Sequence, residues 1–277
     1  PPSPISAIWL NGDLPELASA PLPLSVAIIT KNEADNLPRQ LDSLKLLNPA
    51  EIVVVDSGST DETVAIAKAC GVRVIETDWP GYVEQKNQAL AACNQPWILS
   101  LDADESVSNE LADAIRMLFD SGEPDKDGYE VNRRTWYLGD WLRYTWYPEW
   151  RLRLVRRGKA RWIGGAVHEH LEVTGEVARL TGDLYHYSYK NLRDHFERMI
   201  EYARLGAESG TKHRRFPWHK LVFSPPLRFL RILVVQGSWR DGWRGWIIAV
   251  SSMVAAFMKY AFIYETMVSD KKVSRAD

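Results

Sequence analysis

Cysteine is scarce in this chain, since only two of its 277 residues are cysteines. Cys70 and Cys93 are not spaced as metal ligands are, which argues against a cysteine-bound metal, and so few thiols suit a reducing compartment. Residues 1–23 lack a basic segment followed by an apolar run, so we expect no secretory signal there. The six prolines of that stretch predict an irregular N-terminal arm.

Net charge is also small, at −2, but the two ends of the chain differ strongly. Residues 1–128 carry 8 Lys or Arg against 21 Asp or Glu, whereas residues 211–260 carry 9 against one acid, Asp241. An acidic body with a basic end predicts contact with an anionic surface. The basic end also contains four of the twelve tryptophans, namely Trp218, Trp239, Trp243 and Trp246.

Strand-like and helix-like patterns alternate through the first half of the chain. This rhythm predicts an α/β fold with a mostly parallel sheet flanked by helices. Helical patterns are predicted at residues 34–47, 61–69, 81–92 and 106–119. The apolar runs predicted as strands cover residues 24–30, 52–55, 72–75 and 97–102.

Aspartates follow two of these predicted strands, because Asp56 and Asp102 stand at strand ends and Asp104 comes two residues later. Ligands of such sheets bind at the carboxyl ends of the strands. Clustered carboxylates repel one another and need a cation, and oxygen ligands suit Mg²⁺ or Mn²⁺. The pattern therefore predicts a metal-dependent enzyme acting on a phosphate-bearing substrate. The alternative is that Asp104 and Glu105 only begin the next helix.

The second half changes character. Aromatic residues and arginines are frequent in residues 129–190, where short strands are predicted at 151–155 and 167–173. Arg151 and Arg153 alternate along the first of these strands and are suited to gripping phosphate. From residue 191 the pattern is helical.

The helical end contains two apolar segments, residues 227–235 and 246–264, which the prolines after Ser224 are expected to separate from the preceding helix. The longer segment approaches the ~20 residues that a spanning helix needs. Basic residues and tryptophans flank both segments, and this favours a helical hairpin lying in an anionic leaflet over nucleic-acid binding. The alternative is a pair of ordinary helices that pack on the body of the protein.

Four motifs resemble the family 2 glycosyltransferases of the GT-A fold. They are TKNE at residues 30–33, VVDSGSTD at 54–61, QKN at 85–87 and LDADE at 101–105. Their order and spacing agree with that family across residues 24–120. Two later motifs, GGAVHE at 164–169 and HYSY at 186–189, are similar to the branch that contains lipopolysaccharide inner-core glucosyltransferases.

The resemblance implies a nucleotide-sugar donor and an inverting mechanism. By this resemblance Glu33 and Asp56 contact uracil and ribose, and Asp102 holds the ribose or the metal. Asp104 then ligates Mg²⁺ or Mn²⁺ on the diphosphate, where the cation stabilises the departing charge. The remaining donor-binding residues that it implies are Thr30, Asp61, Lys86 and Asn87.

An inverting transfer needs a general base on the acceptor side of the sugar. The Glu-Asp pair of many relatives is missing here, so Glu169 is predicted as the base and His168 as a ligand of the metal or diphosphate. Asp140 and Glu149 are alternatives for the base, because they lie among aromatics suited to stacking on an acceptor. His186 is expected to belong to core or loop structure.

Together these features predict an inverting, metal-dependent glycosyltransferase that moves glucose from UDP-glucose, or a close relative, onto a lipid-linked glycan at the cytoplasmic face of a bacterial inner membrane. Alternatives are a polyprenyl-phosphate or exopolysaccharide sugar transferase and a catalytically silent membrane-bound scaffold. A nucleotidyltransferase is disfavoured because residues 31–34 contain no glycine. The predicted parts are an arm (1–23), a donor-binding half (24–128), an acceptor side (129–190) and a membrane-associating helical region (191–277).

Overall fold

The computed structural model describes residues 20–165, 169–208 and 218–273. Its first half alternates strands and helices as the sequence predicts. Strands β1 to β4 cover Leu22–Thr30, Pro49–Asp56, Arg73–Glu76 and Trp97–Asp102. Helices α1 to α3, which connect them, cover Leu37–Leu44, Thr63–Ala69 and Tyr82–Ala92.

The second half adds short strands and then helices. After β5 (Glu105–Val107) and α4 (Asn109–Asp120), strands β6 to β11 cover Gly128–Tyr137, Asp140–Trp141, Glu149–Arg156, Ala160–Ile163, His170–Val173 and Val177–His186. Helix α5 covers Leu192–Glu208 and α6 covers Trp218–Leu230. A π-helical turn (Arg231–Val235) and a 3-10 turn (Ser238–Asp241) lead into α7, Trp243–Val273.

One nine-stranded sheet organises the body of the protein, in the order β3-β2-β1-β4-β8-β6-β11-β5, with β7 beside β6. Strands β1 to β4 are mutually parallel, whereas β8 runs antiparallel to both β4 and β6. Strands β9 and β10 form a separate antiparallel pair. This mixed sheet with its helices confirms the predicted α/β class. Its parallel pairs are those among β1 to β4 and the pair of β6 with β11.

Both faces of the central strands are buried. In β1, Val26 and Ile28 pack into one apolar cluster with Leu99 of β4, while Ala27 between them packs into a second cluster with Val53. Successive side chains of a strand point to opposite faces, so a strand covered on both sides reads as a continuous apolar run. This burial fixes the strand register and thereby the position of the strand ends.

The start of α4 differs from the prediction. The helix begins at Asn109, because residues 105–107 form β5, which pairs antiparallel with β11. The Ser108 hydroxyl accepts a hydrogen bond from the Leu111 backbone N–H at 3.1 Å and thereby caps the helix. Glu105 therefore belongs to a buried strand and does not begin a helix.

The predicted break at the prolines after Ser224 is also wrong, because α6 continues through Pro225 and Pro226. A proline inside a helix costs about 3 kcal/mol, since it lacks an N–H and crowds the preceding turn. Helix α6 packs along α7, and this packing keeps the chain helical. Strand β10 is shorter than predicted, starting at His170, and residues 166–168 lie outside the described part.

Helices α6 and α7 leave large apolar side chains exposed. In the described part of the chain one helix, Trp243–Val268, is long and apolar enough to cross a membrane, and 22% of its apolar window is buried. The exposed side chains of α7 recur every three, four or seven residues and so lie on one face: Trp243, Trp246, Val250, Val254, Phe257 and Tyr264. Those of α6 and the turn after it are Trp218, Val222, Phe223, Leu227, Leu230, Val234 and Val235. We call these two sets the apolar face.

The turn between α6 and α7 is bonded to the body of the protein. The Asp241 carboxylate accepts hydrogen bonds from the backbone N–H groups of Arg143, Tyr144 and Thr145, at 2.9, 3.2 and 2.7 Å. The Arg244 Nε donates to the carbonyls after β6, at Tyr137 and Leu138. The only acid of residues 218–264 is therefore turned inward, and the exposed charges of the turn are cationic.

A buried polar chain joins β6, α5 and α7. The Tyr137 hydroxyl lies 2.5 Å from His195 Nδ1, and His195 Nε2 lies 3.3 Å from Ser251 Oγ. Since Ser251 donates to the Ile248 carbonyl at 3.1 Å, its oxygen is free to accept from Nε2–H. A neutral imidazole that accepts from the Tyr137 hydroxyl at Nδ1 and donates from Nε2 satisfies both neighbours. Burial lowers the pKa of His195, against the opposing effect of Asp194.

We expect acid to loosen this junction. The folded His195 pKa lies below the ordinary 6.5, so the unfolded chain takes up the proton first. The free energy that neutral His195 contributes to folding is complete above about pH 6.5 and is lost as the pH falls toward the folded pKa. His195→Phe should cost about 1–3 kcal/mol at neutral pH, because the Tyr137 hydroxyl loses its acceptor. Thermal unfolding of both proteins between pH 5 and 8 tests this. A constant difference between the two curves would contradict it, because removing His195 should flatten the acid slope.

Candidate active site

The site lies where the parallel strands end. Strand register pairs Thr30 with Asp56 across β1 and β2, and Ile29 with Asp102 across β1 and β4. The two predicted aspartates therefore stand at one edge of the sheet on either side of β1. The sequence predicted this juxtaposition, and the structure shows it.

Asp56 organises the turn that follows β2. Its carboxylate accepts hydrogen bonds from the Thr30 hydroxyl at 2.8 Å and from the backbone N–H groups of Gly58 and Ser59 at 3.0 and 2.8 Å. The side chain is buried, at 1% exposure. The Gly58 backbone has φ +79°, a conformation that glycine adopts without strain. Asp56 thus sets the shape of the loop at the strand ends.

Glu33 and Asp61 lie in the adjoining loops. Asp61 accepts from the backbone N–H groups of Ala34 and Thr63 at 3.1 Å each, so it bridges the loop after β1 to the start of α2. Burial raises the pKa of Glu33 and the charge of Asp104 adds to that rise, although a hydrogen bond from Asn36 opposes it. Glu33 is thus within electrostatic reach of Asp104, at the mouth of the site.

Asp102 is held by two buried cations. Lys86 Nζ lies 2.8 Å from its Oδ1 and Arg153 NH2 lies 3.3 Å from its Oδ2. Burial would raise the pKa of Asp102, but the charges of Lys86 and Arg153 outweigh burial and lower it. The carboxylate is therefore ionised and already compensated.

The same charge network extends along β5, β6 and β8. Glu105 is fully buried and accepts from Arg153 at 2.8 Å and from Arg133 at 3.4 Å. Glu149 accepts from Arg133 at 2.8 Å and from Arg151 at 2.5 Å. Burial alone would raise the pKa of Glu149, but these arginines lower it to about 2. Arg151 and Arg153 are thus each paired with carboxylates, and their part in gripping phosphate stays a prediction.

The position of His186 differs from the prediction. It ends β11, and its Nε2 lies 3.4 Å from Asp104 Oδ2. Burial would raise the pKa of Asp104, but the neighbouring His186 outweighs it and lowers the pKa. The Tyr187 backbone N–H also donates to the Asp104 carbonyl at 2.9 Å. His186 therefore lies at the end of a strand against Asp104, and not in the core or in a loop.

Glu169 stands beside the Asp102 cluster. Its Oε1 lies 3.6 Å from Lys86 Nζ, and Lys86 also lies over the Trp162 ring, 4.2 Å from its centre. The Asn87 amide exchanges two hydrogen bonds with the Trp162 backbone at 2.8 and 2.9 Å and so anchors β9. Its part in donor binding stays a prediction. His168 lies outside the described residues.

Asp140 lies on the side of the C-terminal helices. Its Oδ1 accepts from the Trp141 backbone N–H at 2.8 Å, and its Oδ2 lies 3.7 Å from Arg244 NH1. Half of its side chain is exposed. No contact links it to Asp102, Asp104 or Glu169 among the residues that the structure describes.

Asp104 and His186 suit a divalent cation. They offer one carboxylate and one imidazole nitrogen. This donor set suits Mn²⁺ well, and Mg²⁺ can bind the carboxylate oxygen. His186 Nδ1 is buried without a hydrogen-bond partner, so the ring is not fixed by any other strong contact. Within the described residues no group of three or more His, Cys, Asp or Glu gathers. With these two side chains as its only protein ligands, a cation would keep positions for water and substrate phosphate.

Comparison with known proteins finds similar chains. The family model described as "Glycosyl transferase family 2" matches residues 25–169. The lipopolysaccharide core biosynthesis glycosyltransferase LpsC of Rhizobium meliloti (strain 1021) is 36% identical over 257 residues, covering 88% of this chain and 93% of that protein. The uncharacterized glycosyltransferase RT0209 of Rickettsia typhi is 30% identical, and the alignment covers 92% of this chain and 91% of that protein. The S. aureus TarS 1-349 crystal structure aligns with a TM-score of 0.46 at 16% identity, covering 84% of this chain and 80% of that chain.

The α/β sheet, the carboxylates at its strand ends and these matches define the protein as a glycosyltransferase. The chain belongs to glycosyl transferase family 2. The family predicted from the four motifs is thereby confirmed, and with it the need for an activated sugar donor and a glycan acceptor.

Proposed function

We propose that this chain is an inverting, metal-dependent glycosyltransferase that moves a hexose from a UDP-sugar, with glucose as our candidate, onto a lipid-linked glycan. The observation that carries the proposal is the Asp104–His186 pair, 3.4 Å apart at the carboxyl end of the parallel strands. A divalent cation there supplies Lewis-acid stabilisation of the departing diphosphate. Asp104 and His186 would hold it, and Mn²⁺ or Mg²⁺ are the candidates.

Asp102 has a separate part in this proposal. Because Lys86 and Arg153 neutralise it, its carboxylate is poorly placed to be the main cation ligand but remains able to accept a ribose hydroxyl. Thr30, Glu33, Asp56 and Asp61 shape the neighbouring loops, where we place the nucleoside. The donor is then bound between the loop after β1 and the end of β4.

For the general base we favour Glu169. Its Oε1 lies 3.6 Å from Lys86 Nζ, next to the Asp102 cluster. In this proposal the acceptor hydroxyl approaches the donor from that side. Glu149 is the weaker candidate, because a carboxyl with a pKa of about 2 holds an abstracted proton poorly. Asp140 is weaker for a different reason, since its contacts are with the C-terminal helices.

The acceptor proposal rests on the relative and on the C-terminal helices. LpsC is named for lipopolysaccharide core biosynthesis, and the alignment with it covers most of both chains. Such an acceptor is anchored in lipid, so the enzyme has to work at a membrane surface. We therefore propose the lipopolysaccharide core as the acceptor class and the cytoplasmic face of the inner membrane as the location.

The apolar face fits a helical hairpin that lies in the leaflet. Tryptophan favours the membrane interface, and basic residues near an anionic leaflet contribute about 1 kcal/mol each. The exposed basic residues Arg228, Arg231 and Arg240 accompany the apolar face, and Asp241 is turned inward. Because the hairpin turn is bonded to residues 143–145, membrane binding would bring the body of the enzyme to the lipid surface.

Substitutions on the apolar face should release the protein from membranes. We expect the triple change Trp246→Ser, Val250→Ser and Phe257→Ser to lower liposome partitioning more than tenfold, because burying one such side chain contributes about 1.5–3 kcal/mol. Flotation with vesicles that contain or lack anionic lipid measures this. Met117→Ser is the matched control, since Met117 is 70% exposed on α4, away from the hairpin.

Equal flotation of the triple variant and the Met117 variant would exclude this face as the anchor. Resistance of the wild-type protein to both high salt and carbonate would instead indicate a helix that spans the bilayer. Loss of binding in high salt alone would assign the attachment to the basic residues.

A donor screen tests the proposed function. The full-length protein is titrated calorimetrically with UDP-, GDP- and ADP-hexoses, with and without Mn²⁺. We expect metal-dependent binding of a UDP-sugar and no comparable binding of the others. Binding of none of them would contradict a nucleotide-sugar site, and metal-independent binding would contradict the role of Asp104 and His186.

A further inference from the structure

The basic residues that α3, β6 and β8 bring to the site are already paired with carboxylates. Four of them, Lys86, Arg133, Arg151 and Arg153, are matched by the four carboxylates Asp102, Glu105, Glu149 and Glu169. Asp104 and Glu33 add further negative charge at the mouth. A nucleoside diphosphate gains negative charge as it leaves with the electron pair of the broken sugar–oxygen bond. One divalent cation facing this much negative charge needs help from a further cationic side chain.

The start of α5 lies beside the cation pair. The Tyr187 backbone N–H donates to the Asp104 carbonyl at 2.9 Å, and α5 begins five residues later, at Leu192. Lys190 Nζ lies 2.9 Å from Asp35, in the loop between β1 and α1. These contacts fix the first turns of α5 against the loops that carry Glu33 and Asp104.

Arg198 is the cation that α5 brings to this mouth. Its charge acts on Asp104, on Glu33 and on the Tyr82 hydroxyl at the start of α3. Its guanidinium lies 5.9 Å from the Tyr189 ring centre, and Asp194 engages its Nε at 2.9 Å. It forms no second ion pair within the described part of the chain, and 43% of its side chain is exposed. The terminal nitrogens are therefore available to a ligand.

We propose that Arg198 is a donor-binding residue that contacts the diphosphate of the nucleotide sugar. This inference rests on the proposed function. The planar guanidinium matches phosphate oxygens in a bidentate manner, and such charge-assisted hydrogen bonds are stronger than neutral ones. Lys190 is less suited, because Asp35 already engages its ammonium group. Helix α5 is thus part of the active site and not only a support for α7.

The test compares a diphosphate ligand with the same ligand lacking phosphate. We expect Arg198→Gln to weaken Mn²⁺-dependent UDP binding about tenfold or more and to leave uridine binding unchanged, because uridine has no diphosphate. Arg198→Lys keeps the charge but loses the planar group, so its UDP affinity should lie between those of the wild type and Arg198→Gln. The control is Arg193→Gln, on the same helix, which breaks a similar pair four residues apart with Glu197 at 2.8 Å and is 87% exposed.

Equal UDP affinities of the Arg198→Gln and Arg193→Gln proteins would overturn the inference. A parallel loss of uridine binding would also overturn it, since that would show a general change of the site. A wild-type protein that binds none of UDP, GDP and ADP would overturn the proposed function itself. The two failures are therefore distinguishable.

Discussion

Asp104→Asn is expected to reduce sugar transfer about a thousandfold or more while the protein stays folded. A cation that neutralises a leaving diphosphate contributes several kcal/mol to the transition state, and each 1.36 kcal/mol is a factor of about ten in rate. Asparagine removes the negatively charged carboxylate oxygen that, in our proposal, binds the cation together with His186. The side chain lies at the mouth of the site, with 21% exposure, so its loss should not open the core. Initial rates at saturating Mn²⁺ and Mg²⁺, together with calorimetric Mn²⁺ binding, measure both effects.

Two variants show whether the effect is specific. Asp113→Asn on the exposed face of α4 should leave rate and stability unchanged. Asp102→Asn should lower activity and also destabilise the fold, because it leaves the buried Lys86 and Arg153 undercompensated. Turnover of the Asp104 variant that is unchanged in saturating metal would remove this residue from the cation site.

Local patterns were enough to predict the parallel half of the sheet. Each of β1 to β4 is a short apolar run, and the helices between them have helical spacing, so element order and strand ends followed from the sequence. The pairing of Thr30 with Asp56 is then a consequence of parallel strands of similar length. This is why the strand-end acids were found without coordinates.

The charge partners inside the site were not predictable in the same way. Arg153 reaches Asp102 and Glu105 because β8 inserts antiparallel beside β4, and no local pattern fixes that neighbour. His186 meets Asp104 because β11 pairs with β5, across about eighty residues of chain. A small clue existed, since HYSY was part of the family resemblance, but the residue types alone do not distinguish a ligand from a core histidine.

The helical end shows a second limit of sequence patterns. Two consecutive prolines normally end a helix, yet α6 passes through them because it packs on α7. Tertiary contacts overrode the local signal there. The apolar face, by contrast, follows from spacing along α7, where exposed side chains recur at helical intervals.

Glu169→Gln is the second large effect that we expect. Its carboxylate lies 3.6 Å from Lys86, which itself bonds Asp102 at 2.8 Å, so the three groups form one cluster. Glutamine keeps the size and polarity of the side chain but cannot take a proton from the acceptor hydroxyl. The donor should still bind, because its proposed contacts are with Asp102, Asp104 and the loop after β1.

Removing a general base typically lowers a rate by about 10²–10⁴-fold. We expect Glu169→Gln to lose kcat in that range while Mn²⁺-dependent UDP binding stays close to wild type. Asp140→Asn should keep nearly full activity, since its partner is Arg244 at 3.7 Å, on the side of the C-terminal helices. Glu149→Gln should act through stability instead, because Arg133 and Arg151 lose their shared carboxylate. If Asp140→Asn loses kcat with intact UDP binding and Glu169→Gln stays active, the proton is taken from the other side of the acceptor and Glu169 is not the base.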